Sequence, residues 1–281
     1  MPELPEVETI RKTLSLLTLN KTISDITIRW PKIIKFPDDI EQFKLELIGE
    51  TLHTIKRSGK FLRFEFDSVV LISHLRMEGK YRLVEEAEAL NKHDHVIFHF
   101  TDGSELRYND VRKFGTMHVY PHGTEFKHAP LNKLGPDPFE EGYDYTYVLE
   151  KLSKTRRPIK AALLDQMIIA GLGNIYVDEV LFLAKIHPET RSHLLTDQEM
   201  KAIYDYAYIV LEEAVKQGGT TIRSYVDGQG EMGMFQQELY VYSQEGKACK
   251  TCNDEIIKIK VAGRGTHVCP SCQIYKGETK E

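Results

Sequence analysis

The sequence has no apolar run of the roughly 18 residues needed to span a bilayer. Its first residues carry acids, Glu3 and Glu6, where a secretion leader needs a basic and then an apolar stretch. It contains no internal repeat and no low-complexity tract. It has only 4 cysteines in 281 residues, and none before position 249, so a disulfide framework is not expected. These absences argue against a helical membrane protein, a secreted disulfide scaffold and a solenoid. A cytoplasmic protein with no membrane partner is expected. Net positive charge is also missing: 37 Lys and Arg stand against 42 Asp and Glu, for a net −5. That argues mildly against a nucleic-acid partner, but net charge is an average, and phosphate binding depends on local clusters. Two clusters exist: Lys151, Lys154, Arg156, Arg157 and Lys160, and a looser one of Lys247, Lys250, Lys258, Lys260 and Arg264.

What is present is ordinary for a globular protein, with 41% hydrophobic and 28% charged residues. The length allows two domains with separate cores. Pro5 suits the first turn of a helix, and Val7, Ile10, Leu14 and Leu17 follow at helical spacing. From about residue 21 to 120 the pattern changes to short aromatic or β-branched runs: 26–30, 61–66, 69–74, 96–100, 105–108 and 117–120. With no helical pattern between them, they predict an antiparallel sandwich or barrel. Leu134 to Phe139, rich in Gly and Pro, reads as a linker. Helices are then predicted over 145–152, from Pro158 to Ile169, and over 175–184. A last one follows the capping box Thr196-Asp197-Gln198-Glu199 and ends at Gly218-Gly219. Short strands return over 240–272. The expected class is α+β. Its parts are a β-sandwich domain over 1–130, a linker over 131–144, a helical domain over 145–239 and a metal module over 240–274.

Cys249-Lys250-Thr251-Cys252 and Cys269-Pro270-Ser271-Cys272 are two CxxC knuckles separated by 16 residues. The spacing fits a tetrahedral four-thiolate zinc site with a β-hairpin between the knuckles. Four thiolates leave no open coordination position, so one structural ion is expected, not a catalytic one. Within the intervening stretch lies Gly263-Arg264-Gly265-Thr266. Its glycines allow close backbone approach to a ligand, but a solvated hairpin tip explains Arg264 equally well.

The first six residues, Met1-Pro2-Glu3-Leu4-Pro5-Glu6, carry a second possibility. Removing Met1 would expose the secondary amine of Pro2. An α-amine titrates near pH 8, so a useful fraction is unprotonated at neutrality. Such an amine attacks carbon next to oxygen to form an iminium. Glu3 and Glu6 lie close enough to divide proton transfer and charge stabilisation. Taken alone, however, these residues read more simply as a helix start with favourable acids.

Read together, the motifs resemble the formamidopyrimidine-DNA glycosylase family over nearly the whole chain. The resemblance rests on Pro2 to Glu6, on Lys60 in Lys56-Arg57-Ser58-Gly59-Lys60, and on His74-Leu75-Arg76-Met77. It continues through Lys92-His93-Asp94-His95, Asp110 to Gly115, Leu164-Asp165-Gln166, Gly171 to Tyr176, the cysteine knuckles and Gly263 to Thr266. It implies a β-sandwich with an N-terminal helix, then a helical domain with a helix-two-turn-helix and a β-hairpin zinc finger. It implies excision of oxidised purines from double-stranded DNA through a Schiff base on Pro2, with lyase action at abasic sites. Glu3 would be the proton donor, supported by Glu6; Lys60 would assist β-elimination and Arg264 δ-elimination. His74, His93, Arg112, Arg156, Asn174 and Tyr242 would contact DNA. Met77, Arg112 and Phe114 would fill the gap left by a flipped nucleotide. Without the motif context, Met77 and Phe114 in strand-rich sequence would be read as core. Glu78 stands where a small hydroxyl residue is more usual in the family, and Arg156 where lysine is frequent. The resemblance further implies a bacterial, nucleoid-associated protein, and a monomer is expected. The rivals are an endonuclease VIII-like enzyme acting on oxidised pyrimidines and a non-catalytic zinc DNA-binding protein. Leu4 and the loop from Gly219 to Tyr225 favour the purine enzyme. Nucleotide binding at Gly171-Leu172-Gly173 is weak, because the full fingerprint and its preceding strand are missing.

Overall fold

A computed structural model describes residues 1–84, 88–220 and 238–277. They form two compact units: Met1–Asn132 with 218–220, and Lys133–Gln217 with 238–277. The expected loop from Gly219 to Tyr225 lies outside the described residues beyond Thr220. Among the described residues, no helix is long and apolar enough to cross a membrane.

The first unit opens with α1 (Leu4–Thr18). Glu3 and Glu6 form a capping box, each side chain accepting the other's backbone N–H, and a proline lies in the first turn. Val7, Ile10 and Leu14 make one buried face. Nine strands follow: β1 (Ile23–Ile28), β2 (Ile34–Phe36), β3 (Thr54–Ser58), β4 (Phe61–Glu65), β5 (Val69–His74), β6 (Lys80–Val84), β7 (Asp94–Phe100), β8 (Glu105–Asn109) and β9 (Thr116–Pro121). They make a four-stranded sheet, β1-β7-β8-β6, and a five-stranded sheet, β2-β9-β5-β4-β3. All pairs are antiparallel except the short β2–β9 pair. One core holds Ile26, Phe98 and Leu106 from the first sheet, Leu62, Phe64 and Met117 from the second, and the buried face of α1. This is the sandwich that the strand pattern predicts.

A short helix within the strand-rich half, α2 (Ile40–Leu47), was not expected. Asp39 starts it by accepting the N–H groups of Glu41 and Gln42. Its buried face is Phe43 and Leu47 alone, too few positions to reveal a period.

The turn from Asp110 to Gly115 is built around one carboxylate. Asp110 is fully buried. Its Oδ1 accepts the Arg112 N–H at 3.0 Å, and its Oδ2 accepts those of Phe114 and Gly115, each at 2.9 Å. The buried Tyr108 hydroxyl donates to the same Oδ2 at 3.3 Å. That hydroxyl also underlies a second turn: a Cβ on either Gly79 or Gly115 would overlap it. The turn that follows β5 and the turn that precedes β9 therefore rest on one tyrosine.

The second unit contains α3 (Tyr145–Lys154), α4 (Ile159–Leu163), α5 (Asn174–Leu183) and α6 (Asp197–Lys216), then the hairpin β10 (Ile257–Val261) and β11 (Arg264–Val268). The capping box before α6 is formed, with the Glu199 N–H on Thr196 Oγ1 at 3.3 Å and the Thr196 N–H on Glu199 Oε2 at 3.0 Å. The helix expected from Pro158 to Ile169 is a correction: α4 stops at Leu163. Asp165 Oδ1 accepts the Met167 N–H, while the Gln166 amide accepts from Gly171 N and donates to the carbonyls of Leu164 and Leu172. These side chains hold two successive turns where the apolar pattern suggested continued helix.

Two buried acids tie this unit together. Asp178 pairs with Lys160 at 2.6 Å, both side chains fully buried, and accepts the His267 N–H at 2.9 Å. Glu179 accepts three successive backbone N–H groups, from Tyr240, Val241 and Tyr242, at 2.7–3.0 Å. Burial raises the Glu179 carboxyl from the ordinary glutamate value to about 7, against the opposing pull of those three bonds.

Two outcomes follow from these carboxylates. Asp110→Ala leaves the backbone of the turn without its acceptor and is expected to lower the unfolding free energy by about 2–4 kcal/mol, read by urea denaturation. For Glu179, the folded state holds a proton that the unfolded chain releases between about pH 4.5 and 7. Its contribution to stability therefore falls as pH rises through that window, by about 3 kcal/mol. The difference between wild type and Glu179→Gln, followed by denaturation at a series of pH values, should show that slope; parallel profiles would remove the assignment.

Candidate active site and metal centre

Pro2 and Glu3 are buried at the start of α1, with Met1 exposed beyond them. Glu6 holds this end in place. Its Oε2 accepts the Glu3 N–H at 2.8 Å, and its Oε1 accepts the Thr220 N–H at 2.9 Å and the Thr220 hydroxyl at 3.0 Å. Gly219 packs so closely that a Cβ there would lie 2.8 Å from Glu6 Oε1. One carboxylate thus fixes both the backbone beside Pro2 and the first described residues after α6.

Lys60 lies in the two-residue turn between β3 and β4, where Gly59 takes a positive φ of 55°. It is 4% exposed. His74 ends β5 opposite Phe61, its ring edge-on to that phenyl at 4.5 Å. Burial drives the His74 imidazolium down to about 3, helped by the charges of Arg76 and Lys60. The ring is neutral at any physiological pH.

Met77 and Phe114 are not core: they are 41% and 51% exposed. Each stands on one of the two turns that share Tyr108. Arg112 is exposed too, its guanidinium 4.7 Å from the Phe114 ring centroid. His93 precedes β7, half-buried, with its ring 6.4 Å from that of His95. The supporting residues Tyr108 and Asp110 were not picked out as support in the sequence. The signal for them was the Asp110 to Gly115 motif, whose acid and glycine are the two residues that a short turn on a buried carboxylate requires.

In the second unit, Asn174 begins α5 and donates to the Gly265 carbonyl at 3.0 Å. Lys160 donates to the same oxygen at 3.2 Å. These bonds fix the β10–β11 hairpin, whose tip, Ala262-Gly263, has positive φ at both positions, the geometry of a tight two-residue turn. Arg264 follows the tip and is exposed. Tyr242 stands on the segment held by Glu179, its ring 4.8 Å from that of His267. Arg156 is exposed between α3 and α4, with its carbonyl receiving Arg191. The structure thus gathers Pro2, Glu3, Glu6, Lys60, His74, Met77, His93, Arg112 and Phe114 in the first unit. Arg156, Asn174, Tyr242 and Arg264 belong to the second. Lys160, read as a member of a surface basic cluster, is instead fully buried on Asp178.

The four cysteine sulfurs lie within 4.8 Å of one another. Cys249 to Cys272 is 3.9 Å and Cys252 to Cys269 is 3.4 Å. A tetrahedral ZnS₄ centre with bonds near 2.3 Å needs sulfurs about 3.8 Å apart, so the set fits one structural zinc. Cys249 and Cys269 are buried beside Ile256, Val241 and Phe182, which joins the metal module to α5.

Three family models match the chain in order. "Formamidopyrimidine-DNA glycosylase N-terminal domain" matches residues 1–117, "Formamidopyrimidine-DNA glycosylase H2TH domain" residues 134–226, and "Zinc finger found in FPG and IleRS" residues 246–274. A formamidopyrimidine-DNA glycosylase of Oceanobacillus iheyensis is 60% identical, covering 98% of this chain and 99% of the relative. That of Bacillus subtilis is 52% identical, over 98% of this chain and 100% of the relative. Among solved structures, the Lactococcus lactis protein in complex with DNA containing an N7-benzyl-Fapy-dG superposes with a TM-score of 0.89 at 46% identity, over 97% of this chain and 100% of the other. The same protein in complex with abasic-site DNA gives 0.89 at 45%, over 97% and 99%. With the sandwich, the two turns after α4 and the four-cysteine hairpin all in place, the chain belongs to the formamidopyrimidine-DNA glycosylase family.

Proposed function

We propose that this protein is a base-excision-repair DNA glycosylase with abasic-site lyase activity, acting as a monomer in the cytoplasm, at the nucleoid, on double-stranded DNA that carries oxidised purines. The observation that carries the reading is the first unit's pairing of a buried Pro2-Glu3 terminus with two apolar side chains, Met77 and Phe114, held out in solvent on braced turns. A stacked base cannot be reached inside a duplex, so the nucleotide must leave the stack and its place must be filled. Met77, Phe114 and the planar cation of Arg112 have the shapes to fill it.

With Met1 removed, the Pro2 nitrogen attacks C1′ of the extruded nucleotide. A C–N bond forms, and the bond to the base breaks with its electron pair leaving on the base. Glu3 donates the proton that opens the sugar at O4′, giving the iminium. Loss of a proton from C2′ then expels the 3′ phosphate, with Lys60 assisting, and a second elimination expels the 5′ phosphate, with Arg264 assisting. Glu6 positions Glu3 through its backbone. His74, His93, Arg156, Asn174 and Tyr242 hold phosphates, which positions the duplex and contributes little sequence preference. Zinc, bound by Cys249, Cys252, Cys269 and Cys272, supplies folding energy to the hairpin that presents Arg264.

Borohydride trapping tests the chemistry. Mature protein incubated with a duplex carrying 8-oxoguanine opposite cytosine should give a covalent adduct. None should form with Pro2→Gly or with Met1 retained. Adduct formation by the Met1-retained protein would exclude the proline amine, and a preference for oxidised thymine would select the pyrimidine enzyme. Chelation tests the metal's role. Removing zinc should weaken binding to abasic-site DNA at least about tenfold, while amide protection in β4 and β5 persists. Unchanged affinity in metal-free protein would dismiss the hairpin from DNA binding.

A further inference from the structure

The turn after β5 contains a left-handed backbone conformation at a residue that bears a side chain. Arg76 has a φ of +56°. Any residue with a Cβ is disfavoured there, and glycine is the usual occupant. In this turn the Arg76 N–H is directed back onto Nδ1 of His74, at 2.9 Å. A ring nitrogen that accepts a hydrogen bond carries no proton, so the imidazole proton resides on Nε2. His74 is thereby fixed as a neutral N–H donor. Glycine at position 76 would supply the same amide without strain, so the arginine side chain needs its own reason.

That side chain is exposed. Among the described residues it makes no hydrogen bond, ion pair or ring contact. The companion turn offers a comparison. Lys113 also has a positive φ, 59°, and directly precedes the exposed Phe114 as Arg76 directly precedes Met77. The Lys113 amine, however, sits 3.9 Å from the centroid of the Trp30 ring. One cation is engaged by an aromatic face, and the other, two residues from His74, has no such partner among the described residues.

We propose that Arg76 is a phosphate-binding residue: its guanidinium and the Nε2–H of His74 together grip a backbone phosphate beside the position that Met77 enters, and the left-handed backbone is kept for that side chain. The planar guanidinium fork suits two phosphate oxygens. A site of stored backbone strain is where a binding role is expected. The proposal rests on the DNA-glycosylase reading above and adds to it a contact of stated chemistry.

The test uses the zinc-loaded full chain and a duplex with a tetrahydrofuran abasic analogue, with affinity followed by fluorescence anisotropy over a range of KCl. Arg76→Gly should bind about tenfold more weakly at low salt. Its plot of log affinity against log salt should be shallower than wild type by about 0.9, the loss of one phosphate contact. Its melting temperature without DNA should not fall. Arg76→Lys, which keeps a unit charge, should keep the slope. A wild-type slope in Arg76→Gly overturns the proposal, and so does an equal loss of slope in Arg76→Lys. Nitrogen NMR of His74 should show the Nε2–H form in Arg76→Gly as in wild type; a changed tautomer would assign the effect to the backbone and sink the claim. Absence of salt-dependent binding by the wild type itself would strike the underlying reading instead.

Discussion

A buried carboxylate that accepts backbone N–H groups is the interaction on which the candidate site depends. Among the described residues, four cases bear on the proposed chemistry. Glu6 receives Glu3 and Thr220, Asp110 receives Arg112, Phe114 and Gly115, Asp178 receives His267, and Glu179 receives Tyr240, Val241 and Tyr242. All four acids are at most 3% exposed. Where the acid is ionised such bonds are charge-assisted and stronger than neutral ones, and loops lack the regular ladders that fix strands and helices. Glu6, Asp110 and Glu179 therefore each give an irregular segment one geometry, Asp178 anchors strand β11, and each of these segments carries a residue of the proposed chemistry.

The same arrangement explains how exposed apolar groups are kept ready. Met77 and Phe114 would be favoured by burial, and a free turn would fold them inward. Tyr108 lies against both turns. Its hydroxyl occupies the space that a side chain at Gly79 or Gly115 would need, and Asp110 locks the second turn against it. The two turns that carry these side chains thus rest on one residue of the sandwich core. In the second unit the zinc cysteines and the Lys160–Asp178 pair do the corresponding work for the hairpin that bears Arg264. A buried ion pair is weak evidence for stability by itself. Here its donor also satisfies the Gly265 carbonyl, which gives it a defined geometric role.

Much was legible in the chain alone. The α1 start, the strand succession, the Thr196 capping box and the paired cysteine knuckles are local patterns, each set by residues a few positions apart. The misread elements were those where a side chain overrode the local pattern. The apolar run after Pro158 looks helical to Ile169, yet Asp165 and Gln166 capture the backbone and impose turns. Helix α2 shows only two buried positions, so no period could be read. Lys160 looked like a surface charge because its partner, Asp178, stands 18 positions away in sequence.

By itself the sequence determined the α1 start, the strand succession and the metal set, because spacing and residue type are enough for those; the groups proposed to do chemistry were pointed to by the family resemblance of the motifs. Only the tertiary structure decided which of those groups are exposed. Met77 and Phe114 have the composition of core, His74 that of a titratable surface group and Arg76 that of an ordinary surface cation. The His74 tautomer is set two residues on, by the Arg76 N–H, but the turns that carry Met77 and Phe114 rest on Tyr108 of strand β8. Such contacts form only when the sheets close over a common core, and no local pattern records them.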